Sequence, residues 1–130
     1  MHRTAAPLLA LSLFALAACG GSDKSTTTAP AHVDLTVRAK AAVAFDQTSY
    51  TAASTAGKVV IALINDSGLP HNLHVVDGNG KNVDPNAPKV RVSSSGDQAF
   101  GTFSLDPGSY RIVCTVPGHN AMNSTLTVTA

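Results

Sequence analysis

The sequence predicts an all-β domain, an antiparallel sandwich or barrel, on three observations. Val and Thr are abundant beside Ser, Ala and Gly, with no Trp and no Glu, a balance of β-branched residues and turn formers that favours strands over helices. Short segments alternate apolar and polar residues from Val33 onward. Clusters of Asn, Asp, Gly and Pro interrupt them at roughly ten-residue intervals, the spacing of an all-β domain.

Val33, Leu35 and Val37 alternate, and Ala42 to Asp46 continues in the same style before a loop containing Tyr50. The run from Lys58 to Asn65 has Val59, Ile61 and Leu63 on one face and Val60, Ala62 and Ile64 on the other, which predicts a strand buried on both sides. Asn65, Asp66, Ser67 and Gly68 make the next turn. Leu69 to Asp77 reads as a strand entered through Pro70 and turned back by Asp77, Gly78, Asn79 and Gly80. Residues 81–95 read as a loop with one short strand near Val90. Ala99 to Leu105 is a further strand, closed by Asp106, Pro107 and Gly108 as a type II turn. Tyr110, Ile112 and Cys114 then share one face, and Ser124 to Thr129 forms the last strand with Leu126 and Val128 inward.

The first thirty or so residues read as something other than domain. His2 and Arg3 precede an apolar run from Ala5 to Ala18, short of the roughly 20 residues that span a bilayer. Residues 1–18 are therefore expected to be a signal peptide. Its Leu-Ala-Ala-Cys ending resembles the bacterial lipobox, in which Cys19 would carry the lipid; an ordinary secretory signal cleaved nearby is the alternative. Residues 19–32 then form a flexible tether with a reach of roughly 20 Å, and residues 33–130 the domain. The expected location is extracytoplasmic, anchored to the cell envelope and facing the periplasm or the cell surface. A pair of cysteines in an exported chain can also signal a disulfide, but Cys19 sits in a processing signal and Cys114 among potential metal ligands.

The charges nearly balance, nine Lys and Arg against eight Asp, so nothing points to nucleic acid as a partner. No serine in a nucleophile elbow and no phosphate-binding glycine loop occurs, and the chain is expected not to be an enzyme.

The chemistry concentrates in Cys-Thr-Val-Pro-Gly-His-Asn-Ala-Met, which places Cys114, His119 and Met122 close together. A lone buried cysteine is more often core filling than a ligand, and methionine also fills irregular gaps. Thiolate, imidazole and thioether in one short run reverse that weighting. Two His and one Cys with a weak axial Met suit copper cycling between Cu(I) and Cu(II). The second histidine is expected to be His71, which follows the Gly-Leu-Pro turn and shares a face with Leu73 and Val75. His74 falls on the opposite face with Asn72. Asn65 and Asn123 each begin an Asn-x-Ser/Thr triplet, here taken as chance.

These residues resemble the cupredoxin family, the small blue-copper proteins that include plastocyanin, azurin and amicyanin. The resemblance runs from about Phe45 to Ala130. It rests on Asn-Asp-Ser-Gly-Leu-Pro-His-Asn-Leu-His-Val-Val-Asp from Asn65 and on Tyr-x-x-x-Cys-Thr-x-Pro-Gly-His from Tyr110 to His119. It implies a Greek-key β-sandwich with one type 1 copper at one end, held by His71, Cys114, His119 and Met122, and a hydrogen bond from Asn72 to Thr115 joining the two ligand segments. Only Asn120 and Ala121 separate His119 from Met122, where azurin-like members have three residues; amicyanin-like members have two but a shorter gap from Cys to His.

The function the resemblance implies is one-electron transfer by a monomer between redox proteins that serve as donor and acceptor. A copper storage or delivery module is the alternative, although such proteins use several exposed Met or His and this chain has two Met, one the initiator. A metal-free adhesion sandwich is a third reading, at odds with the complete ligand set.

Overall fold

Nine strands form among the described residues, 28–85 and 89–130 of the computed structural model, and no helix does. The expected signal peptide, Cys19 with its expected lipid, and the expected tether as far as residue 27 lie outside the described residues. The strands are β1 (Leu35–Lys40), β2 (Ala44–Phe45), β3 (Ser49–Ala53), β4 (Lys58–Asn65), β5 (His71–Val76), β6 (Val90–Val92), β7 (Gln98–Ser104), β8 (Gly108–Val113) and β9 (Asn123–Thr129). One sheet has the order β2-β1-β4-β7 and the other β3-β9-β8-β5-β6. Val37, Val59, Ile61 and Leu63 of the first sheet and Leu73, Val75, Ile112 and Leu126 of the second are at most 2% exposed. Alternate residues of each strand thus fill one layer between the sheets, as the period of two requires.

Two pairings are parallel rather than antiparallel: β1 with β4, and β3 with β9. The second corrects the expectation of a loop around Tyr50. Ser49 to Ala53 pairs with Thr125 to Thr129 as an edge strand, burying Tyr50 and Ala52 on the core face. Tyr50 Oη donates to Asp46 Oδ1 at 2.7 Å, so its polar tip is satisfied while its ring packs inward. That burial, with the neighbouring Asp46 carboxylate, pushes its hydroxyl pKa well above the ordinary tyrosine value. Strand β4 spans the residues the alternation marks, but its second face is only partly covered: Ala62 is buried whereas Val60 and Ile64 are half-buried.

Gly101 sets how closely the layers approach at one edge. A Cβ there would lie 2.5 Å from Val90 Cγ2 of the opposite sheet and 3.0 Å from the Phe103 ring, so only glycine lets β7 pass this close to β6.

The antiparallel register of β5 and β8 positions the site. His74 faces Val113 across that pair, so the start of β5 and the end of β8 lie at the same end of the sandwich. The β4–β5 turn and the β8–β9 loop therefore meet there.

Candidate metal centre

His71 is the first residue of β5, and Cys114 follows directly on β8. Residues 114–122 close on themselves through short backbone bonds. His119 N–H donates to the Val116 carbonyl at 3.0 Å, Met122 N–H to the His119 carbonyl at 2.8 Å, and Cys114 N–H to the Met122 carbonyl at 3.1 Å. Gly118 makes the turn at φ +88°, a conformation that L side chains rarely adopt. These bonds fix the backbone of the loop and offset the conformational entropy lost in ordering it.

One ligand atom from each of His71, Cys114 and His119 lies within 4.8 Å of the other two, and all three residues are buried. Cys114 Sγ is 3.6 Å from His119 Nδ1, a separation suited to two ligands that share one ion at bond lengths of roughly 2.0–2.3 Å. The imidazole rings of His71 and His119 stand 4.8 Å apart between centroids, tilted by 38°. His71 is fully buried, whereas His119 keeps 8% of its surface exposed, so one edge of the centre reaches solvent. Burial, reinforced by the neighbouring His119, lowers the His71 pKa and favours the neutral ring that a metal requires.

Whether these residues fit copper is tested by one atom. Among the described residues, His71 Nδ1 is the single buried side-chain nitrogen or oxygen without a hydrogen-bond partner. Buried polar atoms are almost always paired, and the other ring nitrogen, Nε2, is already engaged by Ser67 Oγ at 2.8 Å. An unpaired donor beside a thiolate source and a second imidazole fits copper and suits no purely structural role.

Around the three residues, Asn72 joins the two ligand segments. Its Nδ2 donates to Thr115 Oγ1 at 2.9 Å and its Oδ1 accepts the Thr115 N–H at 2.7 Å. Met122 is 1% exposed and packs in the core. His74 is half-buried on the other face, beside Arg91, and stands outside the cluster; burial and then the Arg91 charge lower its pKa. His32 pairs with Asp34 at 2.8 Å, away from the centre. Asn65, taken in the sequence for a turn residue, is fully buried and bonded within the β4–β5 turn. It and Ser67 are the residues near the centre that sequence reasoning passed over. Their signal is the spacing of a polar pair six and four residues before the first histidine.

The sequence matches the copper-binding proteins of the plastocyanin/azurin family over residues 31–129. The chain belongs to this family. Copper is accordingly the cofactor that His71, Cys114 and His119 are placed to hold. No curated protein matches the sequence significantly. Among solved structures the chain is similar to auracyanin A, a "blue" copper protein from the green thermophilic photosynthetic bacterium Chloroflexus aurantiacus, at 26% identity and TM-score 0.57 over 72% of this chain and 96% of that one. It is similar to auracyanin B at 27% identity and TM-score 0.56, covering 78% of this chain and 94% of that one. A reduced auracyanin from Roseiflexus castenholzii, at 20% identity and TM-score 0.58, matches 78% of this cupredoxin and all of that chain, which shows the shared sandwich.

Proposed function

We propose that the protein is a lipid-anchored, extracytoplasmic type 1 copper protein that carries single electrons between redox proteins and catalyses no reaction of its own. The observation that carries this reading is the buried triad of His71, Cys114 and His119 with an unpaired Nδ1. Bound copper supplies the one-electron Cu(I)/Cu(II) couple. The chain would supply rigidity: His71 on a strand end and Cys114 and His119 on a hydrogen-bonded loop would hold the ion in one arrangement and keep reorganisation on each transfer small. Met122, buried at the base of the loop, is the proposed fourth residue to hold the ion, and its weakly donating thioether would tune the potential. The signal-like residues 1–18 and Cys19 support the anchor, with the domain acting as a monomer at the end of a short tether.

A solution of residues 30–130 given one equivalent of Cu(II) is expected to turn blue, with the narrow hyperfine splitting of a thiolate-bound copper in its paramagnetic resonance spectrum. The colour should bleach on one-electron reduction and return on oxidation. A colourless complex, or a colour that does not cycle, would remove the electron-transfer reading and favour copper delivery.

The partner is expected to dock over the exposed edge of His119. Pro117, Gly118 and Ala121 are exposed there and Val116 is half-buried, while Leu69 of the β4–β5 turn is the one large exposed apolar residue among those described. Ala121→Asp places a charge on this apolar rim and is expected to slow electron transfer by about one order of magnitude, within the spread seen for variants of one interface. The visible spectrum should not change. Equal bimolecular rates for both proteins with each redox partner tested, measured by stopped flow, would exclude this face.

A further inference from the structure

The hydrogen bonds of the β4–β5 turn leave Ser67 an acceptor toward His71, and that role fixes where a neutral His71 carries its proton. Asn65 Nδ2 lies 2.9 Å from the Leu69 carbonyl, which can only accept. Its Oδ1 lies 3.0 Å from the Ser67 backbone N–H, which can only donate. The Asn65 amide therefore has a single orientation, settled by partners whose roles are not in doubt. Ser67 Oγ is 2.9 Å from the same Oδ1. Since that oxygen carries no hydrogen, it accepts the hydroxyl proton of Ser67, for which the Leu69 carbonyl at 3.4 Å is the longer alternative acceptor.

Ser67 Oγ also accepts the Leu69 N–H at 3.1 Å, and its remaining lone pair faces His71 Nε2 at 2.8 Å. With its proton on either oxygen, Ser67 can only accept from His71. A neutral His71 ring must then carry its proton on Nε2 and present the lone pair of Nδ1. The reverse arrangement would turn Ser67 Oγ and Asn65 Oδ1 toward each other as two acceptors at 2.9 Å and bury an N–H on Nδ1 with no acceptor. Both faults are costly where water does not enter: Asn65 is 0% exposed, Ser67 2% and His71 0%.

We infer that Asn65 and Ser67 are positioning residues for the metal centre, a polarised chain that holds His71 as its Nε2–H tautomer with Nδ1 free before any metal arrives. The consequence for copper rests on the function proposed above, but the tautomer does not. A metal meeting a ring already in the competent form loses no affinity to a population in the wrong one, and outer partners of this kind commonly change metal affinity by about 10–100-fold.

The test uses the metal-free protein. Nitrogen-15 spectra of its imidazole rings are expected to show His71 with a protonated Nε2, a slowly exchanging Nε2–H proton and an unprotonated Nδ1. Ser67→Ala should give mixed tautomers, a rapidly exchanging ring proton and copper binding weakened about 10–100-fold, with Ser67→Thr, which keeps the hydroxyl, close to wild type. A wild-type His71 protonated on Nδ1, or a mixture there, would overturn the inference, and so would a Ser67→Ala ring indistinguishable from wild type. If Ser67→Ala does not fold, the wild-type tautomer and the exchange rate of its Nε2–H still decide. Failure of the wild-type protein to bind copper would remove the proposed function while leaving the tautomer result standing.

Discussion

Cys114→Ser is expected to abolish the blue colour and the reversible one-electron couple, the largest functional effect of any single change in this chain. Cys114 is 5% exposed, with its sulfur 3.6 Å from His119 Nδ1. The charge-transfer band requires a thiolate, and a serine hydroxyl deprotonates too reluctantly to replace it. Residual binding by His71 and His119 should be colourless and weaker by more than the roughly 100-fold that loss of a mere supporting partner causes. The apo protein should remain folded, since the exchange is nearly isosteric, with a cost of about 1–3 kcal/mol for a buried hydroxyl. Copper should consequently raise the melting temperature of the wild type far more than that of the variant, because ligand binding stabilises the folded state in proportion to the logarithm of its affinity. Visible titration and thermal melts with and without copper read both effects. An intact blue band in the variant would remove Cys114 from the centre.

Asn72→Ala should be felt both in stability and at the metal. The side chain makes two bonds to Thr115, at 2.9 and 2.7 Å, across 43 positions of sequence. At about 0.5–1.5 kcal/mol each, their loss should cost roughly 1–3 kcal/mol. For a domain of this size that lowers the apo melting temperature by about 5–15 °C. Thr115 follows Cys114 directly, so releasing it also loosens the thiolate relative to His71, and copper affinity should fall about 10–100-fold. A variant that melts with the wild type and binds copper equally well would show that the two ligand segments need no such tie.

How far the sequence reveals this molecule depends on the range of the interaction that decides each feature. Strand β4 runs from Lys58 to Asn65, the span that alternation and its flanking turn residues mark, because burial of every second residue is written locally in a strand. Cys114, His119 and Met122 are legible for a similar reason: ligands this close in sequence must share one loop. Strand β3 is not legible in this way. Ser49 to Ala53 carries only one large apolar residue, Tyr50, and becomes a strand because β9 offers it an edge to pair with. A parallel partner 76 residues distant, Thr125 for Ser49, leaves no mark on local periodicity.

Composition, alternation and the ligand run therefore determined by themselves that this chain is an all-β sandwich or barrel with a soft-donor metal centre at its C-terminal loop, and the family resemblance chose the sandwich. Tertiary structure alone decided the parallel pairings, the approach of His71 to within reach of Cys114 and His119, and the chain of bonds from Asn65 through Ser67 to His71. The physical reason is the directionality of hydrogen bonds. Asn, Ser and Gly in a turn are interchangeable to a reading of propensities, but once folded, which atom donates and which accepts has a single answer.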